Sequence, residues 1–166
     1  MARNATTGTM RASARRVAAL AGLAAVAAGA FAVMYLSQSP STGRADPDDR
    51  SQVALGETVY KQHCASCHGA KLEGQPDWRI RKPDGKLPGP PHDETGHTWH
   101  HSDAQLFRLT KTGLKPPLAP EGYESDMPAF DSTLTDDRIW AVLAFIKSRW
   151  PEGIRKRQAG LNRAER

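Results

Sequence analysis

Four stretches of the chain place apolar residues at regular intervals, and the polar ground between them predicts where it turns. The first is Val17 to Leu36, VAALAGLAAVAAGAFAVMYL, 20 residues without a charge. At a helical rise of about 1.5 Å per residue it spans roughly 30 Å, the thickness of a bilayer's hydrocarbon core. That length predicts a transmembrane helix over 17–36. A cleaved signal peptide is the alternative, with Ala28-Gly29-Ala30 or Ala30-Phe31-Ala32 as cleavage site. The run exceeds the usual signal core of about 7 to 15 apolar residues, which favours an anchor. Residues 37–50 are rich in Ser, Pro, Gly and Asp and read as a flexible linker, with the folded part starting near Asp49.

The second stretch, Ser51 to His63, has Val53, Gly56, Val59 and Tyr60 at helical spacing behind capping aspartates. From Gly69 to His101 the periodicity disappears among prolines and glycines. Irregular backbone that long in a small domain predicts that it wraps something. Order returns at Ser102, where Gln105 three residues on makes a capping-box pattern, and the helix runs through Leu106, Phe107 and Leu109 to a stop at Gly113. A second irregular run leads to the fourth stretch. Thr135 is its expected cap, Asp136 and Asp137 fill its first turn, and Ile139, Val142, Leu143 and Ile146 form its buried stripe. Trp140 and Phe145 flank that stripe, and Pro151 lies beyond its end. No segment reads as a strand, so the expected class is all-α. Three helices and two long loops supply few large apolar side chains, and a core so thin needs some large apolar object to complete it.

Charge changes the picture in one respect. The chain carries a net +5, which would suit nucleic acid if it were spread over the body. Residues 1–44 hold Arg3, Arg11, Arg15, Arg16 and Arg44 and no acid, leaving 18 basic and 18 acidic residues thereafter. The body is neutral, and a nucleic-acid partner is excluded. Arg11, Arg15 and Arg16 instead precede the apolar run, where the positive-inside rule keeps residues 1–16 cytoplasmic and exports the chain beyond Leu36. The basic end, Arg149 to Arg166, reads as a solvated tail that a partner or an anionic membrane surface could meet.

The two cysteines, Cys64 and Cys67, stand in His63-Cys64-Ala65-Ser66-Cys67-His68-Gly69. A zinc site would need a second cysteine pair or several histidines. A thioredoxin-like pair would open a helix rather than end one, and a disulfide would leave His68 without a role. Covalent haem attachment uses all three residues: two thioethers to the vinyl groups and His68 to the iron. The macrocycle would also be the missing apolar object. For the sixth position the methionines are Met1, Met10, Met34 and Met127, of which only Met127 lies beyond the anchor. It sits in Asp126-Met127-Pro128, in a loop able to present its thioether; the alternative is a gap-filling core methionine. A His/Met pair suits electron transfer rather than oxygen chemistry.

With these motifs the chain resembles a membrane-anchored class I cytochrome c of bacterial type, over about residues 51 to 150. The resemblance implies a small fold of three main helices and long loops around one covalent haem c. Gly56 and Tyr60 resemble the family's small-then-aromatic pair on the first helix, and Val142 and Phe145 their partners on the last. It also implies a proline carbonyl accepting a hydrogen bond from the proximal imidazole. The matching segment is Leu87-Pro88-Gly89-Pro90-Pro91; Pro90 is the candidate, with the other prolines open. Trp99 resembles the family's donors to the haem propionates. The implied role is one-electron transfer by a carrier, not an enzyme, held at the inner membrane with its cytochrome domain, 51–150, in the periplasm and a basic tail over 151–166. Its implied partners are quinol-oxidising complexes, dehydrogenases and terminal oxidases or reductases. Two other readings stand beside it. An open sixth position would make a catalytic or sensing haem protein, and His92, His97, His100 and His101, an HxxHH pattern, would suit copper or zinc. Without thiol or carboxylate support, those histidines read more simply as loop polar groups.

Overall fold

The computed structural model describes residues 43–164, so the membrane helix expected over 17–36 lies outside the described residues. No helix among the described residues is long and apolar enough to cross a membrane. Helix α1 (Arg50–His63) begins at Asp49, whose carboxylate accepts from the backbone N–H groups of Ser51 at 2.9 Å and Gln52 at 3.1 Å. Two donors that the first turn leaves orphaned are thereby satisfied. A single turn, α2 (Ala65–His68), carries the cysteine motif. After the long irregular run comes a short 3-10 turn, Thr98–His100, and then α3 (Asp103–Thr112), with Ser102 Oγ accepting from Gln105 N. Helix α4 (Asp136–Ser148) comes after the second irregular run, and α5 (Glu152–Ala164) ends the described chain. There is no strand among these residues.

Helices α1 and α4 form the most extensive contact in the body. They cross at Gly56, where a Cβ would lie 1.9 Å from the Ala141 carbonyl oxygen and 2.9 Å from Phe145 Cβ. Only hydrogen fits there, which is the physical content of the small residue at that position. Beside it Tyr60, wholly buried, meets Phe145 with ring centroids 5.3 Å apart. Val142 lies in the same buried cluster, but the closest approach to Gly56 comes from the backbone of Ala141. The stripe of Ile139, Val142, Leu143 and Ile146 is buried as the periodicity predicts. Phe145 is buried with it rather than flanking it, because α4 is covered on more than one side.

Three local expectations are corrected. Thr135 holds the N-cap position of α4 but its side chain makes no capping bond; Asp136 in the first turn is instead gripped by Lys111 of α3 at 2.6 Å. The basic end is not wholly solvated. Pro151 opens α5, its carbonyl accepting from Ile154 and Arg155, as suits a residue with no N–H to lose. One face of α5 then buries Gln158, whose amide donates to Asp103 Oδ1 at 2.7 Å and to the His101 carbonyl at 3.2 Å. A buried glutamine scores as polar in any hydropathy pattern, so the packed face reads as solvent-facing. The packed body also takes in Ala45, ahead of Asp49: Lys147 Nζ donates to its carbonyl at 2.8 Å and to both oxygens of Asp103. That buried ion pair joins α3, α4 and the segment before α1.

Candidate haem site

The end of α1 runs directly into the motif. Cys64 N donates to Tyr60 O, and His68 N and Cys67 N both donate to Cys64 O, so Cys64 to His68 is one continuous helical turn. Both cysteines are free thiols, Cys64 half-buried and Cys67 exposed. Burial first, and the neighbouring Cys67 second, push the Cys64 thiol up to about 11. It is therefore protonated at neutral pH. The Tyr60 hydroxyl donates to the carbonyls of Gly69 at 2.8 Å and His68 at 3.2 Å, fixing the chain as it leaves the turn.

His68 is buried and its Nδ1–H donates to the carbonyl of Pro90 at 2.8 Å. That bond fixes the tautomer, leaving Nε2 with its lone pair. Burial lowers the His68 pKa, against the smaller upward pull of the Pro90 bond, so the ring is neutral, as a metal ligand must be. Pro90 reaches His68 through a neck in which residues 72–75 run beside 89–92. Gly74 N donates to His68 O, Gln75 N to Gly89 O and His92 N to Leu72 O, all at 2.8 to 2.9 Å. Residues 76–88 hang outside this neck. The separation between Pro90 and the motif along the chain therefore does not loosen the bond. At Gly89 a Cβ would lie 2.2 Å from the Cys67 carbonyl oxygen, so the neck presses against the motif where only glycine fits.

Met127 is half-buried and packs, like Cys64 and Trp99, against the hydrophobic cluster. It lines a cavity of about 450 Å³ together with Gly113, Leu114, Tyr123 and Ala129. Three residues later the chain is pinned, as Phe130 N donates to the carbonyls of Thr110 and Lys111 at the end of α3. The Phe130 ring meets His63 edge-on at 6.3 Å, linking the end of α1 to the segment after Met127. Trp99 has a buried indole Nε1–H with no hydrogen-bond partner among the described residues, a costly placement for a donor. Its ring stacks on His100 at 3.8 Å and Arg157 lies over it at 5.1 Å. An unpaired donor beside a guanidinium is fitted to an acidic group such as a propionate.

Of the loop histidines, His97 and His101 meet edge-on with centroids 5.6 Å apart, while His92 and His100 take other partners. His92 stacks on His68 at 4.0 Å with 26° between the rings, and its Nδ1 hydrogen-bonds Thr98 Oγ1 at 2.8 Å. Trp150 Nε1 donates to the His92 carbonyl at 2.7 Å, tying this support to the end of α4. Burial, then His68 and His97, hold the His92 pKa well below the ordinary value. His97 stacks on Trp78, His100 on Trp99, and His101 Nδ1 donates to Gln105 Oε1 at 3.1 Å. Among the described residues no group of three or more His, Cys, Asp or Glu side chains is arranged to hold a metal ion. The role of His92 as a support for His68 was missed in the sequence; its only signal is its place two residues after Pro90.

Two free thiols one turn apart, a neutral imidazole aimed by a backbone carbonyl, and an unpaired buried indole donor are a donor set that fits haem. No curated protein and no solved structure matches the chain. Residues 53–150, more than half of the chain and including the motif, the neck and Met127, match the family model of cytochrome c. The chain belongs to the cytochrome c family, whose domain binds covalently attached haem c, and Cys64-Ala65-Ser66-Cys67-His68 is the motif that fits that attachment.

Proposed function

We propose that this cytochrome is a one-electron carrier whose axial ligands are His68 and Met127. The observation that carries the reading is the 2.8 Å bond from His68 Nδ1–H to Pro90 O, which holds a neutral ring with Nε2 available. When bound, haem c supplies a ferric/ferrous couple. Cys64 and Cys67 would hold the group through two thioethers, Trp99 Nε1–H would donate to an acidic edge group, and Met127 is the thioether that a loop beside the same core can offer. A protein sulfur in the sixth position excludes small ligands and suits electron transfer. The test is the spectrum of the reduced holoprotein with and without carbon monoxide. Slow or negligible binding to the wild type, and rapid binding to Met127→Ala, is expected. Rapid binding to the wild type would favour a catalytic or sensing haem protein instead.

The same proposal places the domain on the periplasmic side of the inner membrane, tethered by 17–36. It is supported by the 20-residue uncharged run behind Arg11, Arg15 and Arg16. A tether confines the carrier near the membrane plane and raises its effective concentration for integral partners. Quinol-oxidising complexes or dehydrogenases as donors, and terminal oxidases or reductases as acceptors, fit that position. Membrane fractionation of the full chain tests it: carbonate-resistant retention is expected, and release of a shortened protein would mean a cleaved leader.

A further inference from the structure

The segment that carries Met127 is poorly secured by its own backbone. Among the described residues, every backbone hydrogen bond made by residues 114–129 is local, as in Leu118 N to Lys115 O and Tyr123 N to Pro120 O. Met127 N itself donates only as far as Ser125 Oγ, at 3.1 Å. Among the described residues, the hydrogen-bonded tie from this strap to a distant part of the body is at Asp126, the residue next to Met127. Its two carboxylate oxygens receive Lys82 Nζ at 2.6 Å and Lys86 Nζ at 2.5 Å.

Those lysines are presented by a built turn rather than by two free side chains. Gly85 N donates to Lys82 O and Lys82 N to Lys86 O, both at 2.9 Å, and Lys86 N donates to Asp84 Oδ1. Arg81 Nη1 donates to Gly85 O, and its guanidinium lies 5.6 Å from the ring of Tyr123 in the same strap. The turn is the tip of 76–88, which hangs from the neck where Gly89 touches Cys67 and Pro90 accepts from His68.

We propose that Asp126 is a positioning residue: clasped by Lys82 and Lys86, it ties the strap bearing Met127 to the neck that orients His68. The clasp thereby limits how readily the Met127 thioether leaves the sixth position. This rests on the reading of Met127 as axial ligand. Both lysines lie far in sequence from Asp126, and a single carboxylate receives both, so one substitution releases the whole tie.

The test is the rate at which imidazole, used above its pKa so that the probe is neutral, replaces the sixth ligand in the ferric full-length holoprotein. Asp126→Asn and the double variant Lys82→Met/Lys86→Met are compared with wild type. The two changes alter local charge in opposite senses, so a mere field effect would move their rates, like their reduction potentials, in opposite directions. A broken clasp accelerates both, by about fivefold for the loss of exposed ion pairs. Added salt should bring the wild-type rate toward that of the variants, since exposed pairs are screened. Unchanged rates, or rates that diverge in sign, would overturn the clasp. A Met127→Ala protein with the wild-type spectrum and imidazole rate would instead overturn the ligand assignment, and the clasp with it. If Met127→Ala alters both while the other two variants do nothing, the clasp alone fails.

Discussion

The neck that carries Pro90 and the strap that carries Met127 are both irregular, glycine- and proline-rich backbone, yet they are secured in different ways. In the neck, main-chain bonds join 72–75 to 89–92 and to His68, and Gly89 lies against the Cys67 carbonyl. In the strap, main-chain bonds among the described residues reach only near neighbours until Phe130 meets the end of α3, and its distant side-chain hydrogen bonds are those of half-exposed Lys82 and Lys86 to Asp126. Backbone bonds in a packed neck are insensitive to salt and surface charge; exposed ion pairs are not. On the proposed ligation, His68 is therefore fixed by the fold, whereas Met127 is held in part by a fastening that solution conditions reach.

The largest expected effect lies outside both regions, in the helical body that each adjoins. Lys147 and Asp103 form a buried pair, 8% and 10% exposed, that also takes in Gln158 and Ala45. Lys147→Met leaves the Asp103 charge buried without its cation, at a cost of about 3 to 5 kcal/mol. Urea unfolding should show that loss with wild-type haem spectra at low denaturant. If the sixth ligand were lost well before the body unfolds, the strap would depend on this buttress more than the neck does. Next comes Gly89→Ala in the neck. Its Cβ would meet backbone at 2.2 Å, which no side-chain rotation relieves. We expect a loss of about 2 to 4 kcal/mol together with a shift in reduction potential, because the proximal turn must move.

How much of this could be read along the chain depends on the range of each signal. The motif, its place at the end of α1 and the Ser102 cap are local patterns, legible from spacing. Met127 is the candidate that elimination yields, as the only methionine beyond the apolar run, and its ligation is proposed. The rest is made by residues far apart in sequence. Pro90 is 22 positions from His68, and Asp126 is 40 and 44 from the two lysines. Lys147 and Gln158 are polar residues whose burial is possible only because Asp103 awaits them, and no periodicity marks such a pair. His92 looked like one of four loop histidines until its stack on His68 set it apart.

A smaller effect tests whether that stack belongs to the neck's rigidity. His92 has its pKa held well below the ordinary 6.5, so the folded protein keeps it neutral while the unfolded chain protonates near 6.5. Below that pH the unfolded state binds more protons, and stability falls as pH falls until the depressed folded pKa is reached. The slope in that window is at most about 1.4 kcal/mol per pH unit. His97, lowered by burial and then His101, adds in the same direction. His92→Phe keeps a flat ring against His68 and removes the titrating group, so unfolding midpoints measured on either side of pH 6.5 should differ less than in wild type. An unchanged slope would show that the ring is not held neutral by its setting.

The smallest expected effect is the strap's counterpart to Gly89→Ala. Gly122 has φ +72, with open space where a Cβ would stand, so alanine there meets no atom and bears only the left-handed backbone strain. Gly122→Ala should cost about 1 to 2 kcal/mol, no more than Gly89→Ala. Since the strap reaches the body through Asp126 rather than through Gly122, the wild-type reduction potential should persist. A stability loss equal to that of Gly89→Ala, or a comparable change in potential, would mean that the strap is as tightly determined as the neck. The asymmetry between the two ligands would then have to come from somewhere other than how their backbones are tied.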